Sequence, residues 1–139
     1  MSSRAFVDSS AFKAYYDQDD EFHERARAWM EALGSKESKT RGLVTTDYVL
    51  DETITLIMLA HSHGKAIEFA DASLASKILA IEYVGKEGFA EALELFKQSS
   101  DKAWSLTDCA SFVTMRTLGM HQAFAFDPHF KQAGFDMVP

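Results

Sequence analysis

This 139-residue sequence predicts an α/β fold in which a small, mainly parallel sheet is covered by helices on both faces. Three observations carry that reading. Short runs that are continuously apolar, not alternating, signal strands buried on both sides. Stretches with apolar residues three and four apart separate these runs, as the crossover connections of a parallel sheet require. Two of the apolar runs lead straight into an acid, and in open sheets of this kind ligands bind beyond the carboxyl ends of the strands.

The elements follow in order. Ala5-Phe6-Val7 is a buried strand that ends at Asp8, Ser9 and Ser10. Residues 11–16 form a short helix. Residues 21–33 form a second, with Phe22, Ala26, Trp29, Met30 and Leu33 at helical spacing and Gly34 as its stop. Residues 35–41 are a polar loop carrying Lys36, Lys39 and Arg41, and Leu43-Val44-Thr45 is the second strand. Residues 47–63 read as one long helix ended by Gly64, so apolar over 54–60 that most of its circumference should be covered. Residues 65–76 are helix-like, 77–84 a strand, and 87–98 a helix with Phe89, Ala92, Leu93 and Phe96 in step. Ser105 is placed to cap a helix running to Leu118 before Gly119. Ala123-Phe124-Ala125-Phe126 is a further buried strand leading to Asp127-Pro128, and Met137-Val138 a final edge strand.

Length and composition set the limits. At 139 residues the expectation is a single domain over 1–139, and 47% hydrophobic against 25% charged residues excludes a disordered chain. Fourteen basic against twenty-one acidic residues leave a net charge of −7, which argues against binding nucleic acid through overall positive charge. Cys109, the single cysteine, has no partner for an intramolecular disulfide. The opening Met1-Ser2-Ser3-Arg4-Ala5-Phe6-Val7-Asp8 lacks the apolar stretch of a signal peptide, and no run approaches the ~20 residues of a membrane span. Both point to the cytoplasm and to no membrane partner.

The chemistry rests on acids. Asp8, Asp108 and Asp127 each have an ordinary reading as helix caps or turn residues. Glu52 lies inside a helix with Tyr48, Val49, Thr55 and Leu56 as neighbours, and no obvious Lys or Arg to pair with it. A metal shared with the three aspartates would satisfy it; the bland alternative is a solvated gap in the apolar face. Asp47 and Asp51 compete for the same role, and periodicity does not choose between Asp51 and Glu52. Carboxylate oxygens select Mg²⁺ or Mn²⁺ over zinc, and such a site favours phosphate-ester chemistry without a covalent nucleophile.

Four segments then match a known family. Phe6-Val7-Asp8-Ser9-Ser10, Tyr48-Val49-Leu50-Asp51-Glu52-Thr53, Ser105-Leu106-Thr107-Asp108-Cys109-Ala110-Ser111 and Phe126-Asp127-Pro128-His129-Phe130 resemble the PIN domain, especially the VapC-type ribonuclease toxins. The resemblance implies a PIN-like three-layer α/β/α fold with Asp8, Glu52, Asp108 and Asp127 as catalytic metal ligands. Ser10 and either Ser105 or Thr107 would be the supporting hydroxyls. It further implies a Mg²⁺- or Mn²⁺-dependent endoribonuclease leaving 5′-phosphate and 3′-hydroxyl ends, a homodimer, and a cognate antitoxin protein. The alternative is a catalytically silent PIN-like module that binds RNA or protein.

Other residues carry less. His23, His61, His63, His121 and His129 lack zinc-ligand spacing and read as solvated surface residues. Cys109 reads as a packed residue, not a nucleophile. Lys36, Lys39, Arg41 and Arg116 are candidate RNA-phosphate contacts, against a plain solvated loop. A haloacid dehalogenase-type phosphatase would need an acid where Ser10 stands, and no phosphate-binding Gly-rich loop occurs.

Overall fold

The computed structural model describes residues 3–139; Met1 and Ser2, the start of the stretch read for a targeting segment, lie outside the described residues. The chain runs β1 (Ser3–Val7), α1 (Ser9–Tyr16), α2 (His23–Leu33), β2 (Thr40–Thr46), α3 (Asp47–Ala60), α4 (His63–Ala75), β3 (Leu79–Glu82), α5 (Gly85–Gln98), α6 (Leu106–Thr117), β4 (Gln122–Phe124), α7 (His129–Gln132) and β5 (Asp136–Val138). The five strands pair in parallel in the order β3-β2-β1-β4-β5. From the central β1 the sheet grows outward in both directions, so the strand order reverses between β1 and β4. In open sheets of this kind ligands bind at such a reversal, outside the carboxyl ends of the two strands.

The sequence dictates why this sheet is central. Ala5, Phe6 and Val7 of β1, Val44 of β2 and Ala123 and Phe124 of β4 are all fully or almost fully buried, as strands covered on both faces must be. Phe6 and Phe130 ring centroids lie 6.2 Å apart, and Phe130 meets Phe112 of α6 edge-on at 5.0 Å. Elsewhere Phe12 of α1 packs edge-on against Phe69 of α4 at 5.1 Å, and Trp29 of α2 lies 4.3 Å from Phe124. The Phe6 and Phe124 pairs join helices to the sheet, and the Phe12 and Phe112 pairs join helices to one another.

The expected helix over 47–63 is two helices. His61 leaves helical geometry, and Ser62 starts α4 by accepting the Lys65 N–H on its hydroxyl, so Gly64 lies inside the first turn of α4 and ends nothing. The separate helix expected at 65–76 is the rest of α4. Nor is the apolar middle of α3 covered all round: it buries Val49, Leu50, Thr53 and Ile57, while Leu59 is 75% exposed and Met58 40%. The strand expected over 123–126 stops at Phe124, which puts Asp127 three residues beyond its end. Among the described residues no helix is long and apolar enough to cross a membrane.

Candidate metal centre

Asp8 follows β1 directly and is the N-cap of α1. Its Oδ2 accepts both the Ser10 backbone N–H at 3.2 Å and the Ser10 hydroxyl at 2.7 Å. The same hydroxyl accepts the Phe126 N–H at 3.0 Å, so Ser10 ties the first acid to the segment that carries the fourth. Asp8 is only 2% exposed. Burial drives its carboxyl from 3.8 to about 6, against the Ser10 hydrogen bonds that favour the charged form and with a smaller upward push from the Asp108 charge.

Asp108 sits in the first turn of α6, where it completes a capping box: Ser105 Oγ accepts its N–H at 3.0 Å, and its Oδ2 accepts the Ser105 N–H at 3.0 Å. Ser105 therefore orients the Asp108 carboxylate. Thr107 offers its carbonyl to the Ser111 hydroxyl further along α6. Asp127 accepts the His129 N–H on Oδ1 at 3.0 Å. The His129 ring then closes over both acids, with Nδ1 2.8 Å from Asp108 Oδ2 and 3.1 Å from Asp127 Oδ1. Ligand atoms of Asp108, Asp127 and His129 lie within 4.8 Å of one another. His129 is thus no solvated surface histidine; it belongs to the acid cluster.

Glu52, half-buried on α3, accepts the Ser9 hydroxyl on Oε1 at 2.6 Å, which joins it to the residue after Asp8. Its two competitors go elsewhere. Asp47 accepts the Val84 N–H at 2.8 Å and fastens the entry to α5, while Asp51 is exposed.

The four acids share one feature. Each has one oxygen held, Asp8 by Ser10, Asp108 by Ser105 and His129, Asp127 by His129, and Glu52 by Ser9 across on α1, while its second oxygen accepts no hydrogen bond from the described residues. Among the described residues no Lys or Arg forms an ion pair with any of the four; His129 alone does. Fixed carboxylates with free oxygens and no cationic partner suit a hard divalent cation, which takes oxygen ligands and leaves positions for water and phosphate.

The candidate basic residues lie elsewhere. Lys36, Lys39 and Arg41 precede or begin β2, at the opposite end of a strand that spans about 20 Å. There Lys36 and Arg41 help to line a cleft of about 530 Å³ floored by Met30, Leu33 and Ile78. Arg116, in the last turn of α6, donates to the Ala133 carbonyl and lies over the Phe135 ring, also away from Asp108. Cys109 is fully buried, and burial raises its thiol.

A parallel five-stranded sheet flanked by helices, with Asp8 and Asp127 just beyond the ends of its adjacent strands β1 and β4, defines the class as an open α/β fold with acids at its switch point. Within that class the chain belongs to the PIN domain family, whose model matches residues 5–136. It is 33% identical over 131 residues to the 23S rRNA-specific endonuclease VapC20 of Mycobacterium tuberculosis, covering 94% of each chain. To a VapC ribonuclease of Archaeoglobus fulgidus it is 31% identical over 127 residues, 91% of this chain and 78% of that one. The crystal structure of VapC20, described as a Sarcin-Ricin loop cleaving toxin, matches with a TM-score of 0.88 at 30% identity, over 99% of this chain and 100% of the other. FitAcB from Neisseria gonorrhoeae matches at 0.67 and 13% identity over 97% and 96%, a likeness of fold.

Proposed function

We propose that the protein is a VapC-type endoribonuclease, the toxin of a toxin–antitoxin pair, hydrolysing RNA phosphodiester bonds with Mg²⁺ or Mn²⁺ held by Asp8, Glu52, Asp108 and Asp127. What supports the reading is the grouping of acids beyond β1 and β4: ligand atoms of Asp108, Asp127 and His129 lie within 4.8 Å of one another, the Asp108 charge acts on Asp8, and Glu52 accepts from Ser9, the residue after Asp8. Bound among these acids, a divalent cation supplies Lewis acidity, neutralising phosphate charge and making water a competent nucleophile at neutral pH. The chain's own part is to hold the oxygens still. Ser9, Ser10 and Ser105 do so by hydrogen bonds from neighbouring first turns, so little reorganisation is needed when substrate arrives. Water displaces the 3′-oxygen from phosphorus, leaving a 5′-phosphate and a 3′-hydroxyl.

The names of the relatives make ribosomal RNA the first substrate to try. Lys36, Lys39, Arg41 and Arg116, at the far end of the sheet, contact only RNA that extends well beyond the scissile bond. Exposed Leu59, Tyr83, Phe89 and Phe96 support a homodimer or an antitoxin-covered face. Free Cys109 fits action in the cytoplasm, as one nuclease unit over 1–139. The test is incubation of purified protein with total cellular RNA and mapping of new 5′ ends. Discrete 5′-phosphate ends that appear with Mg²⁺ or Mn²⁺ and vanish with chelator support the reading; RNA left intact with either metal refutes it.

A further inference from the structure

We infer that His129 is a positioning residue for the cation site: its imidazole clamps Asp108 and Asp127 and leaves one oxygen of each free for a cation. The inference rests on the metal-dependent reading above and adds to it a residue outside the four acids.

The geometry defines the clamp. Asp108 lies in the first turn of α6 and Asp127 follows β4, so the two carboxylates come from different elements. His129 Nδ1 faces Oδ2 of one at 2.8 Å and Oδ1 of the other at 3.1 Å. A lone pair aimed at two carboxylate oxygens would be repelled, so Nδ1 carries its hydrogen and donates to both. The oxygens it takes are already engaged: Asp108 Oδ2 by the Ser105 N–H and Asp127 Oδ1 by the His129 N–H. Donation therefore leaves Asp108 Oδ1 and Asp127 Oδ2 for a cation. The ring stands on the first residue of α7, with Phe130 beside it fully buried in the core. It contributes orientation and offsets repulsion between the two acids without occupying their free oxygens. Groups that orient metal ligands in this way commonly change metal affinity by about 10- to 100-fold when removed.

The test is Mn²⁺ binding to the intact protein, followed by electron paramagnetic resonance of free and bound ion, in wild type, His129→Ala and His129→Asn. Asn places an amide N–H close to the position of Nδ1. Circular dichroism shows that each variant is folded. We expect His129→Ala to bind Mn²⁺ at least about tenfold more weakly, and His129→Asn to recover most of that loss. The wild-type spin-echo spectrum should lack the nitrogen coupling of a directly bound imidazole. Wild-type affinity in His129→Ala, or a directly bound nitrogen in wild type, overturns the clamp while leaving the four-acid site standing. Failure of the wild type itself to take up Mn²⁺ at millimolar concentration would overturn the metal reading, and the clamp with it.

Discussion

Asp8→Asn should stabilise the metal-free protein at neutral pH, because Asp8 carries a buried negative charge that the fold does not fully compensate. Asn is nearly isosteric, remains a good N-cap, and can still accept from Ser10 through its carbonyl oxygen. The magnitude follows from the displacement of the Asp8 carboxyl from 3.8 to about 6. At about 1.4 kcal/mol per pH unit this sets a ceiling near 3 kcal/mol, and relaxation around the charge makes about 1–3 kcal/mol the expected gain. The pH dependence fixes the cause. Below about pH 3.8 the carboxyl is protonated in folded and unfolded chains alike, and Asn gains nothing over it. As pH rises toward 6 the unfolded chain gives up the proton first, so wild type loses stability relative to the variant; above 6 the gap is constant. Thermal melts in chelator from pH 4 to 8 would show it as a variant melting higher by roughly 4 °C per kcal/mol at pH 8 and by much less at pH 4. A variant that melts lower than wild type at pH 8, or whose advantage is the same at every pH, would refute the argument.

Three further outcomes follow from the same geometry. Ser10→Ala removes the hydroxyl shared by Asp8 Oδ2 and the Phe126 N–H, so it should cost about 1–3 kcal/mol in urea unfolding and slow RNA cleavage; wild-type values for both would contradict the bridge. Reversing the charge of Lys36, Lys39 and Arg41 together should weaken binding of long structured RNA, measured by filter retention, and leave the cleavage rate of a short oligonucleotide unchanged, since the loop lies about 20 Å from the acids. Light scattering at tens of micromolar, roughly where weak dimers assemble, should read twice the 15.5 kDa chain mass; a 15.5 kDa species would leave the exposed apolar residues for another partner.

Much of this site is legible in the sequence because three of its acids punctuate regular structure. Asp8 follows a buried strand, Asp108 stands three residues after a capping Ser105, and Asp127 precedes a proline, so each position is announced by local chemistry. Glu52 is visible for the opposite reason, as a charge in an otherwise apolar stretch, yet only the packing of α3 against α1 sets it against Ser9 and turns Asp51 to solvent. His129 is not legible. Its tie to Asp108 spans 21 residues and exists only because α7 returns to the start of α6, whereas alone it reads as one more polar residue in a turn. The break at Ser62 was hidden by Gly64, a plausible helix stop that proves to lie one residue inside the next helix. Nor does an apolar run reveal what covers it: Leu59 and Met58 belong to such a run, and the chain's own fold leaves both exposed.

The carboxylate site is tested most directly by the rate at which a single RNA substrate is cleaved by wild type, Asp108→Asn and Glu52→Gln, each measured in chelator and across a Mn²⁺ titration. Wild type should cleave only with metal and at a rate that saturates with it. Both variants should remain folded and lose at least about a hundredfold in rate at the metal concentration that saturates wild type, as removal of charge from a metal-holding carboxylate requires. Cleavage by wild type that persists undiminished in chelator, or variants that match its rate at that Mn²⁺ concentration, would contradict the claim that RNA hydrolysis depends on an ion held by a carboxylate set that includes Asp108 and Glu52.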